Sequence, residues 1–353
     1  MMMKKTIVYI FALGCFAFGK ELKAQQDVHF SQFFASPMTV NPASAGAFGG
    51  DIRGILNYRN QWASISEPYT TIAASFDAPV LKRMKGGMFG LGLNFYKDDA
   101  GLSKFSNVKY SLALAYHLDL NGEKNHFISV GFQAGAIQRS INYNNLTFDD
   151  QWNGVTFDNE IPTLDQFGGN AVNALDMATG IHWYYSPTVF TKYFAGVSLY
   201  HLNAPNVSFN EADDPMLRKF TIHAGAEIGR GSVTSAVDVG GFSVLPNFIY
   251  SFQGPNRYFN LGAEAKFRLQ NASKFTNYHN EMSMSIGPYM RFGDAFYAVM
   301  RFNWMGFSLG VSYDINISDL TAASSGNGGY ELMIGYFGNF GANPSRSHSV
   351  RFN

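Results

Sequence analysis

Long segments in which apolar side chains alternate with small or polar ones dominate this sequence. In 108–120, one face carries Val, Tyr and Leu, while the other carries Lys, Ser, Ala, His and Asp. The same two-residue period recurs in 258–269 and 307–317. Successive side chains of a β-strand point to opposite faces, so this period predicts strands that separate two environments. No long window shows helical periodicity, and the sequence therefore predicts an all-β protein.

The length of the predicted strands favours a membrane barrel over a soluble sheet. About fourteen strands fit within 51–341, and most have about ten residues or more. Soluble strands average about five or six residues, whereas a strand that crosses a bilayer needs about 9–11. An open sheet edge in lipid would leave backbone groups unpaired, so the sheet must close. We predict a single transmembrane antiparallel β-barrel; a large soluble β-sandwich or propeller is the alternative.

The predicted connections differ in length at the two ends of the barrel. The longest are 140–171, 204–216, 245–256 and 318–328, and each follows an odd-numbered strand. Most even-numbered connections are short, with 270–280 as an exception. Outer-membrane barrels have short periplasmic turns and longer external loops. This asymmetry predicts that both chain termini are periplasmic and that the long loops are external.

Residues 1–24 have the features of a secretory signal peptide. Lys4 and Lys5 precede an apolar core at 6–18, and Ala24 offers a small residue before the cut. An N-terminal membrane anchor is the alternative, but the apolar core is short for a span. Cys15 is the only cysteine and lies in this leader, without a full lipoprotein box. Cleavage after Ala24 would leave a mature chain without disulfides or thiolate chemistry.

Residues 25–50 show no period and contain prolines, so we predict an extended and irregular segment. Its aromatic residues Phe30, Phe33 and Phe34 need burial, either in the barrel lumen or against a periplasmic partner. The predicted division is therefore a signal peptide at 1–24, this segment at 25–50, the barrel at 51–341 and a C-terminal tail at 342–353.

Charge and motifs argue against several function classes. The chain has 26 basic and 26 acidic residues, so no basic surplus favours a nucleic-acid partner. His117, His182 and His223 fall on predicted lumen faces, and Asp119 shares the face of His117. This pair could support a barrel-borne hydrolase, but no nucleophile has a recognisable spacing. The acidic stretch 148–160 lacks the spacing of a calcium loop. We predict no enzyme activity, no cofactor and no metal.

Several short motifs resemble the PorP/SprF family of type IX secretion membrane proteins. They are an opening run at 27–34, a proline- and glycine-containing stretch at 37–46, and a run at 58–62. Further pieces lie at 75–79, at 90–92 with 99–101, at 201–202 with Pro205, at 312–316 and at 329–332. The residues that carry the resemblance in these motifs are His29, Phe30, Ser31, Gln32, Pro37, Asn41, Pro42, Gly46, Arg59, Asn60, Gln61, Trp62, Asp314, Asn316 and Glu331.

The resemblance implies an outer-membrane barrel of the Bacteroidetes lineage that takes part in type IX secretion and, in some species, gliding motility. It implies three partners: a secreted surface protein or adhesin, the periplasmic secretion machinery and the lipid bilayer. The motif residues would serve as structural or partner contacts. Our leading hypothesis is a barrel that supports secretion or surface attachment of a partner by docking. A passive, porin-like diffusion channel and a barrel-borne hydrolase are the alternatives.

Overall fold

The computed structural model describes residues 27–65, 67–81, 86–158, 160–165, 168–188, 190–210, 212–230, 241–270, 282–319 and 321–338. The predicted signal peptide at 1–24 and the predicted tail at 342–353 lie outside these residues. Within the described part of the chain, no helix is long and apolar enough to cross a bilayer.

The described residues form fourteen antiparallel strands in one sheet that closes on itself, because β1 pairs with both β2 and β14. The strands are β1 Ile52–Gln61, β2 Tyr69–Val80, β3 Gly87–Ala100, β4 Phe105–Asp119, β5 His126–Ser140, β6 Ala171–Thr188, β7 Thr191–Tyr200, β8 Lys219–Arg230, β9 Gly241–Gln253, β10 Asn256–Gln270, β11 Met282–Arg291, β12 Ala295–Trp304, β13 Phe307–Asn316 and β14 Asn327–Gly338. The predicted all-β antiparallel barrel of about fourteen strands is confirmed.

Side chains alternate between the outside and the lumen along each strand. In β4, Leu112 and Leu114 are each 50% exposed, whereas Ala113 between them is fully buried. In β13, Val311 is exposed on the outside and Ser312 is buried inside. The outer surface is therefore apolar and the lumen is lined by small and polar residues, as expected of a barrel whose outer face contacts lipid.

The ninth strand differs from the prediction. The long external loop predicted at 245–256 requires the ninth strand to end before residue 245, but β9 spans Gly241–Gln253. Only Gly254 and Pro255 separate β9 from β10, and Gly254 has the positive φ of +58° that a tight turn favours. The predicted loop at 245–256 is therefore wrong. After odd-numbered strands, the structure has two long connections, at 141–170 and 201–218.

The error at β9 has a physical cause. Leu245 and Ile249 point into the lumen although they are apolar, so the contrast between the two faces is weak there. Ile249 packs against Phe33 of the N-terminal segment, which makes an apolar residue favourable at this inward position. Pro246 is also a residue that local rules exclude from the middle of a sheet.

Residues 27–50, here called the lumen segment, run inside the barrel. Three single helical turns, at Phe33–Ala35, Pro37–Val40 and Pro42–Ser44, replace the extended chain that the sequence predicted. Phe30, Phe33 and Met38 are buried against inward-facing residues of the strands. The segment thus supplies an apolar core to a lumen that is lined mainly by small and polar residues.

The lumen segment crosses the barrel from one end to the other. We call the end with the connections after odd-numbered strands the loop end, and the end where β1 begins at Ile52 and β14 finishes at Gly338 the terminal end. At the loop end, Asp27 N–H donates to Gln253 Oε1 at 2.9 Å. The described chain therefore begins at the loop end, whereas the sequence predicted both termini at the opposite end. At the terminal end, Asp51 N–H donates to the Gly338 carbonyl at 2.8 Å.

Candidate functional site: the contacts that hold the lumen segment

A carboxylate of the barrel wall binds two consecutive backbone N–H groups of the lumen segment. Ser31 N–H donates to Glu331 Oε1 at 2.5 Å, and Gln32 N–H donates to Glu331 Oε2 at 2.9 Å. Successive backbone N–H groups form a concave anion site, and the charged acceptor makes both bonds stronger than neutral ones. This contact fixes the position of the lumen segment just before its first helical turn.

Buried charges surround this contact. Arg59 Nε lies 3.1 Å from Glu331 Oε1, an ionic contact without hydrogen-bond geometry. Arg291 Nη2 donates to Asp314 Oδ2 at 2.6 Å, and Ser31 Oγ donates to the same oxygen at 2.8 Å. We call this group the anchor cluster; its members are Ser31, Gln32, Arg59, Arg291, Asp314 and Glu331. All are at most 3% exposed.

The anchor cluster also spans the seam that closes the barrel. Arg59 of β1 and Glu331 of β14 are directly paired residues on the first and last strands. Arg59 Nη1 additionally donates to the backbone carbonyl of His29 in the lumen segment. The Arg59 guanidinium therefore contacts both the lumen segment and β14, the strand that closes the barrel against β1. Breaking a buried ion pair by removing one partner costs about 3–5 kcal/mol, because the other charge stays buried.

A second set of contacts holds the middle of the lumen segment. Asn41 Nδ2 donates to the Ile181 carbonyl at 2.9 Å and lies 3.1 Å from His223 Nε2. Asn41 Oδ1 accepts from Ala43 N–H and so caps the turn Pro42–Ser44. A Cβ at Gly180 would overlap the Asn41 side chain, so glycine is needed on this part of the wall.

A third set fastens the terminal end. Gly46 N–H donates to Asp77 Oδ2 at 2.7 Å, at a glycine with φ of +76°. Arg53 binds both oxygens of Asp77, at 2.8 and 2.7 Å, and also donates to the Ser44 carbonyl at 3.1 Å. Such a two-point guanidinium–carboxylate contact has a fixed geometry. The chain is therefore held immediately before it enters β1.

A chain of buried charges holds the start of the segment at the loop end. Asp27 Oδ2 lies 2.9 Å from both His201 Nε2 and Lys219 Nζ. Asp176 Oδ1 lies 2.7 Å from His201 Nδ1, and its other oxygen lies 2.5 Å from Lys109 Nζ. Burial alone would lower the pKa of His201, but Asp27 and Asp176 raise it above its usual range. Burial alone would raise the pKa of Asp27, but His201 and Lys219 hold it well below its usual range.

The raised pKa of His201 predicts a stability that falls with increasing pH. Its contribution is fully present below the unfolded value of about 6.5, and it is lost as the pH rises through the folded pKa. We expect the unfolding free energies of the wild-type protein and His201→Asn, measured in lipid vesicles, to differ most near pH ~5.5 and least near pH ~9. Asp27→Asn should reduce this pH dependence because one of the two carboxylates is gone. A difference that stays constant with pH would contradict a charged His201.

Five of the residues predicted from the sequence meet in the anchor cluster: Ser31, Gln32, Arg59, Asp314 and Glu331. Two more lie beside it. The His29 carbonyl accepts from Arg59, and the Phe30 carbonyl accepts from the Tyr258 hydroxyl at 3.2 Å.

The other predicted residues lie away from the cluster. Pro37, Asn41, Pro42 and Gly46 form the later part of the lumen segment. Asn60, Gln61 and Trp62 are at the loop end of β1. Asn316 ends β13, and its Nδ2 donates to Ser324 Oγ at 3.1 Å in the following connection. A direct partner contact by any of these residues stays a prediction.

Several residues that anchor the segment are not among the site residues selected from the sequence: Asp27, Asp77, Asp176, Arg291 and His201. Asp27, Asp77 and His201 lie within motifs that carry the family resemblance but were not selected from them. Each of the last four lies on a strand or just after one, at a position that faces the lumen. The alternation indicates where a charged residue faces the lumen. It does not indicate which residue that charge binds, because the two partners are far apart in sequence.

The histidines that could have supported catalysis have structural partners. His117 Nδ1 lies 2.6 Å from Ser129 Oγ, and His117 Nε2 lies 2.8 Å from the Ala45 carbonyl. Asp119 instead accepts backbone N–H groups of the turn after β4, including that of Gly122 at 3.0 Å. The two residues therefore do not form the acid–base pair that the hydrolase hypothesis requires.

Among the described residues, no group of three or more His, Cys, Asp or Glu side chains could hold a metal ion.

A cavity of about 130 Å³ remains beside the lumen segment. It is lined mainly by apolar residues, which include Phe33, Phe34, Val40, Phe194 and Leu245.

The family of the chain follows from a sequence match. Residues 22–336 match the family described as type IX secretion system membrane protein PorP/SprF, a range that includes the lumen segment and nearly the whole barrel. The chain belongs to the PorP/SprF family. Membership in this family and the closed barrel together identify it as an outer-membrane protein, as predicted.

Similar solved structures are barrels of low sequence identity to this PorP/SprF protein. BamA from Haemophilus ducreyi lacking POTRA domains 1–3 is 9% identical with a TM-score of 0.41, over 82% of this chain and 70% of that chain. The CymD monoaromatic hydrocarbon channel is 11% identical with a TM-score of 0.44, over 87% and 93%. CdiB from Acinetobacter baumannii is 8% identical with a TM-score of 0.40, over 82% and 60%. No curated protein matches the chain.

Proposed function

We propose that this PorP/SprF protein supports the secretion or surface attachment of a partner protein by docking it, without chemistry. The observation that carries the proposal is the lumen segment, which is fastened at both ends and in the middle of the barrel. A polypeptide cannot pass through a lumen that this segment occupies. The surface left for a partner is then outside the lumen, on the connections at the barrel ends.

The loop end is the more suitable of the two described ends. Connections 141–170 and 201–218 extend from it, and we propose that they face the cell exterior, as long loops of outer-membrane barrels do. The shorter connection after β13 contains a turn of helix at Thr321–Ser324. We propose that a secreted surface protein or adhesin docks on these connections, and that the periplasmic secretion machinery meets the terminal end.

The absence of chemistry is part of the proposal. Its support is that the inward histidines bind structural partners: His117 contacts Ser129 and Ala45, and His182 Nδ1 lies 3.1 Å from Ser44 Oγ. The contacts of His117 with the Ala45 carbonyl and of His182 with Ser44 position the lumen segment.

A gene deletion in the native organism tests the docking proposal. We expect one or a few specific surface proteins to be absent from the cell surface of the deletion strain while the other outer-membrane proteins remain. The chain with residues 144–168 replaced by a short glycine–serine linker should fold but fail to restore display. Normal display of every surface protein in the deletion strain would refute the proposal.

Electrical measurements separate docking from the diffusion-channel alternative. We expect the wild-type barrel to show no steady conductance in a planar bilayer, because the lumen segment fills its interior. The double variant Arg53→Met and Arg59→Met should produce channel openings, since it loses the contacts that hold the segment at two levels. Lys97→Met is the matched control, because Lys97 pairs with Asp99 on a half-exposed part of β3. A wide, steady pore in the wild-type protein would favour the porin-like alternative.

A further inference from the structure

The described residues of connection 141–170 fold back on one another. Asp158 N–H donates to the Gln151 carbonyl at 2.9 Å, and Gln151 Nε2 donates to the Ile161 carbonyl at 2.9 Å. Leu164 N–H donates to Asp150 Oδ2 at 2.5 Å. Polar groups of the loop thus bind one another.

This loop exposes large apolar side chains. Val155 and Leu164 are 85% and 87% exposed, and Trp152 and Phe157 are each about half exposed. The rings of Trp152 and Phe157 lie 5.0 Å apart across an isolated β-bridge, with Val155 in the turn between them. We call these four residues the loop patch. They lie beyond the ends of the strands, so the lipid that covers the barrel wall does not cover them, and exposed apolar patches of this kind mark interaction sites.

The charge around the loop patch is mainly negative. Connection 141–170 contains five acidic residues and no Lys, Arg or His; the acidic residues are Asp149, Asp150, Asp158, Glu160 and Asp165. The neighbouring connection 201–218 adds Glu211, Asp213 and Asp214 against Arg218. It packs on the strands that flank the first connection, because Val207 and Met216 contact Ile137 of β5 and the partly buried Val172 of β6.

The carboxylates around the loop patch decide which surface it attracts. A phosphate-bearing lipid surface would be repelled by these carboxylates, whereas a basic protein surface would be attracted to them.

We infer that the loop patch binds a protein partner that presents a basic surface around an apolar recess. The inference rests on the proposed function and adds the chemistry of the partner to it. The recess receives the Trp152–Phe157 pair and Val155, while basic residues around it face Glu160 and Asp165. Apolar contact supplies the stability of such an interface, and the charges supply its orientation and its rate of formation.

Photo-crosslinking in living cells tests the inference on the full-length protein. A benzophenone side chain replaces Val155 in one strain and Asn121, in an exposed connection of the terminal end, in another. We expect a secreted protein to be crosslinked at position 155 and not at position 121. Adding Glu160→Gln and Asp165→Asn should lower the yield of that adduct roughly threefold or more, as should raised salt. Glu160→Asp with Asp165→Glu is the matched control and should leave the yield unchanged. Trp152→Ser should also lower the yield.

The outcomes separate the inference from the proposed function. If the yield of the adduct at position 155 changes neither with salt nor with the loss of the two carboxylates, the inference of a basic partner surface is wrong. The docking proposal is not affected by that result. A lipopolysaccharide adduct at position 155, an adduct only at position 121, or none at either position overturns the loop patch as the docking surface. Docking itself fails only if the deletion strain also displays every surface protein.

Discussion

Replacing Arg59 by methionine is expected to lower the free energy of unfolding of this barrel by about 3–5 kcal/mol. Arg59 is 2% exposed and contacts Glu331 and Asp314 at 3.1 and 3.6 Å. Without it, Glu331 stays buried and loses its guanidinium partner. The loss also falls on the pairing of β1 with β14, since Arg59 and Glu331 are opposite each other across that seam.

Chemical unfolding of the protein in lipid vesicles measures this effect. The matched control is Lys97→Met, which removes an exposed ion pair of 2.7 Å and should cost about 1 kcal/mol or less. Arg59→Lys is the conservative variant, and it should recover part of the lost stability because it keeps the charge. An Arg59→Met protein as stable as the Lys97→Met control would show that the anchor cluster does not stabilise the barrel.

The second large effect is expected on the outer face. Leu112 is at the middle of β4 and is 50% exposed on the outside of the barrel. A lysine at the bilayer midplane costs about 2–4 kcal/mol, because the ammonium group leaves water for hydrocarbon. We expect Leu112→Lys to lower the free energy of unfolding by that amount, measured by the same unfolding experiment.

Leu120→Lys provides the control for depth. Leu120 is 47% exposed, close to Leu112, but it follows the end of β4 at Asp119. The same substitution there should cost only about 0–1 kcal/mol, since the charge reaches water. Equal costs at the two positions would mean that the middle of β4 does not face lipid.

Much of the wall could be predicted from local pattern. The alternation in β4 and β13 identifies which residues face out, because a two-residue period is set by the backbone of a strand itself. Prediction failed at β9, where Leu245 and Ile249 face the lumen segment rather than polar neighbours. The alternation of apolar and polar residues is lost wherever inward-facing residues of the wall contact apolar residues of the lumen segment.

The anchor cluster shows the limit of the same reasoning at the candidate site. Ser31, Gln32, Arg59, Asp314 and Glu331 were selected by resemblance to a family, whereas Arg291 was not selected at all. Nothing in the spacing of these residues indicates that the Ser31 N–H binds a carboxylate 300 positions away. That contact exists only because the barrel closes and the lumen segment passes through it.

The local sequence is sufficient to establish that the chain forms long strands with one apolar and one polar face, and that such a sheet must close in lipid. The first property follows from the two-residue period of a strand, and the second from the unpaired backbone groups that an open edge would leave. The pairing of Arg59 with Glu331, the extension of β9 to Gln253 and the path of the lumen segment are known only from the three-dimensional structure. Each of these depends on which distant surfaces meet after closure, and a two-residue period carries no information about that.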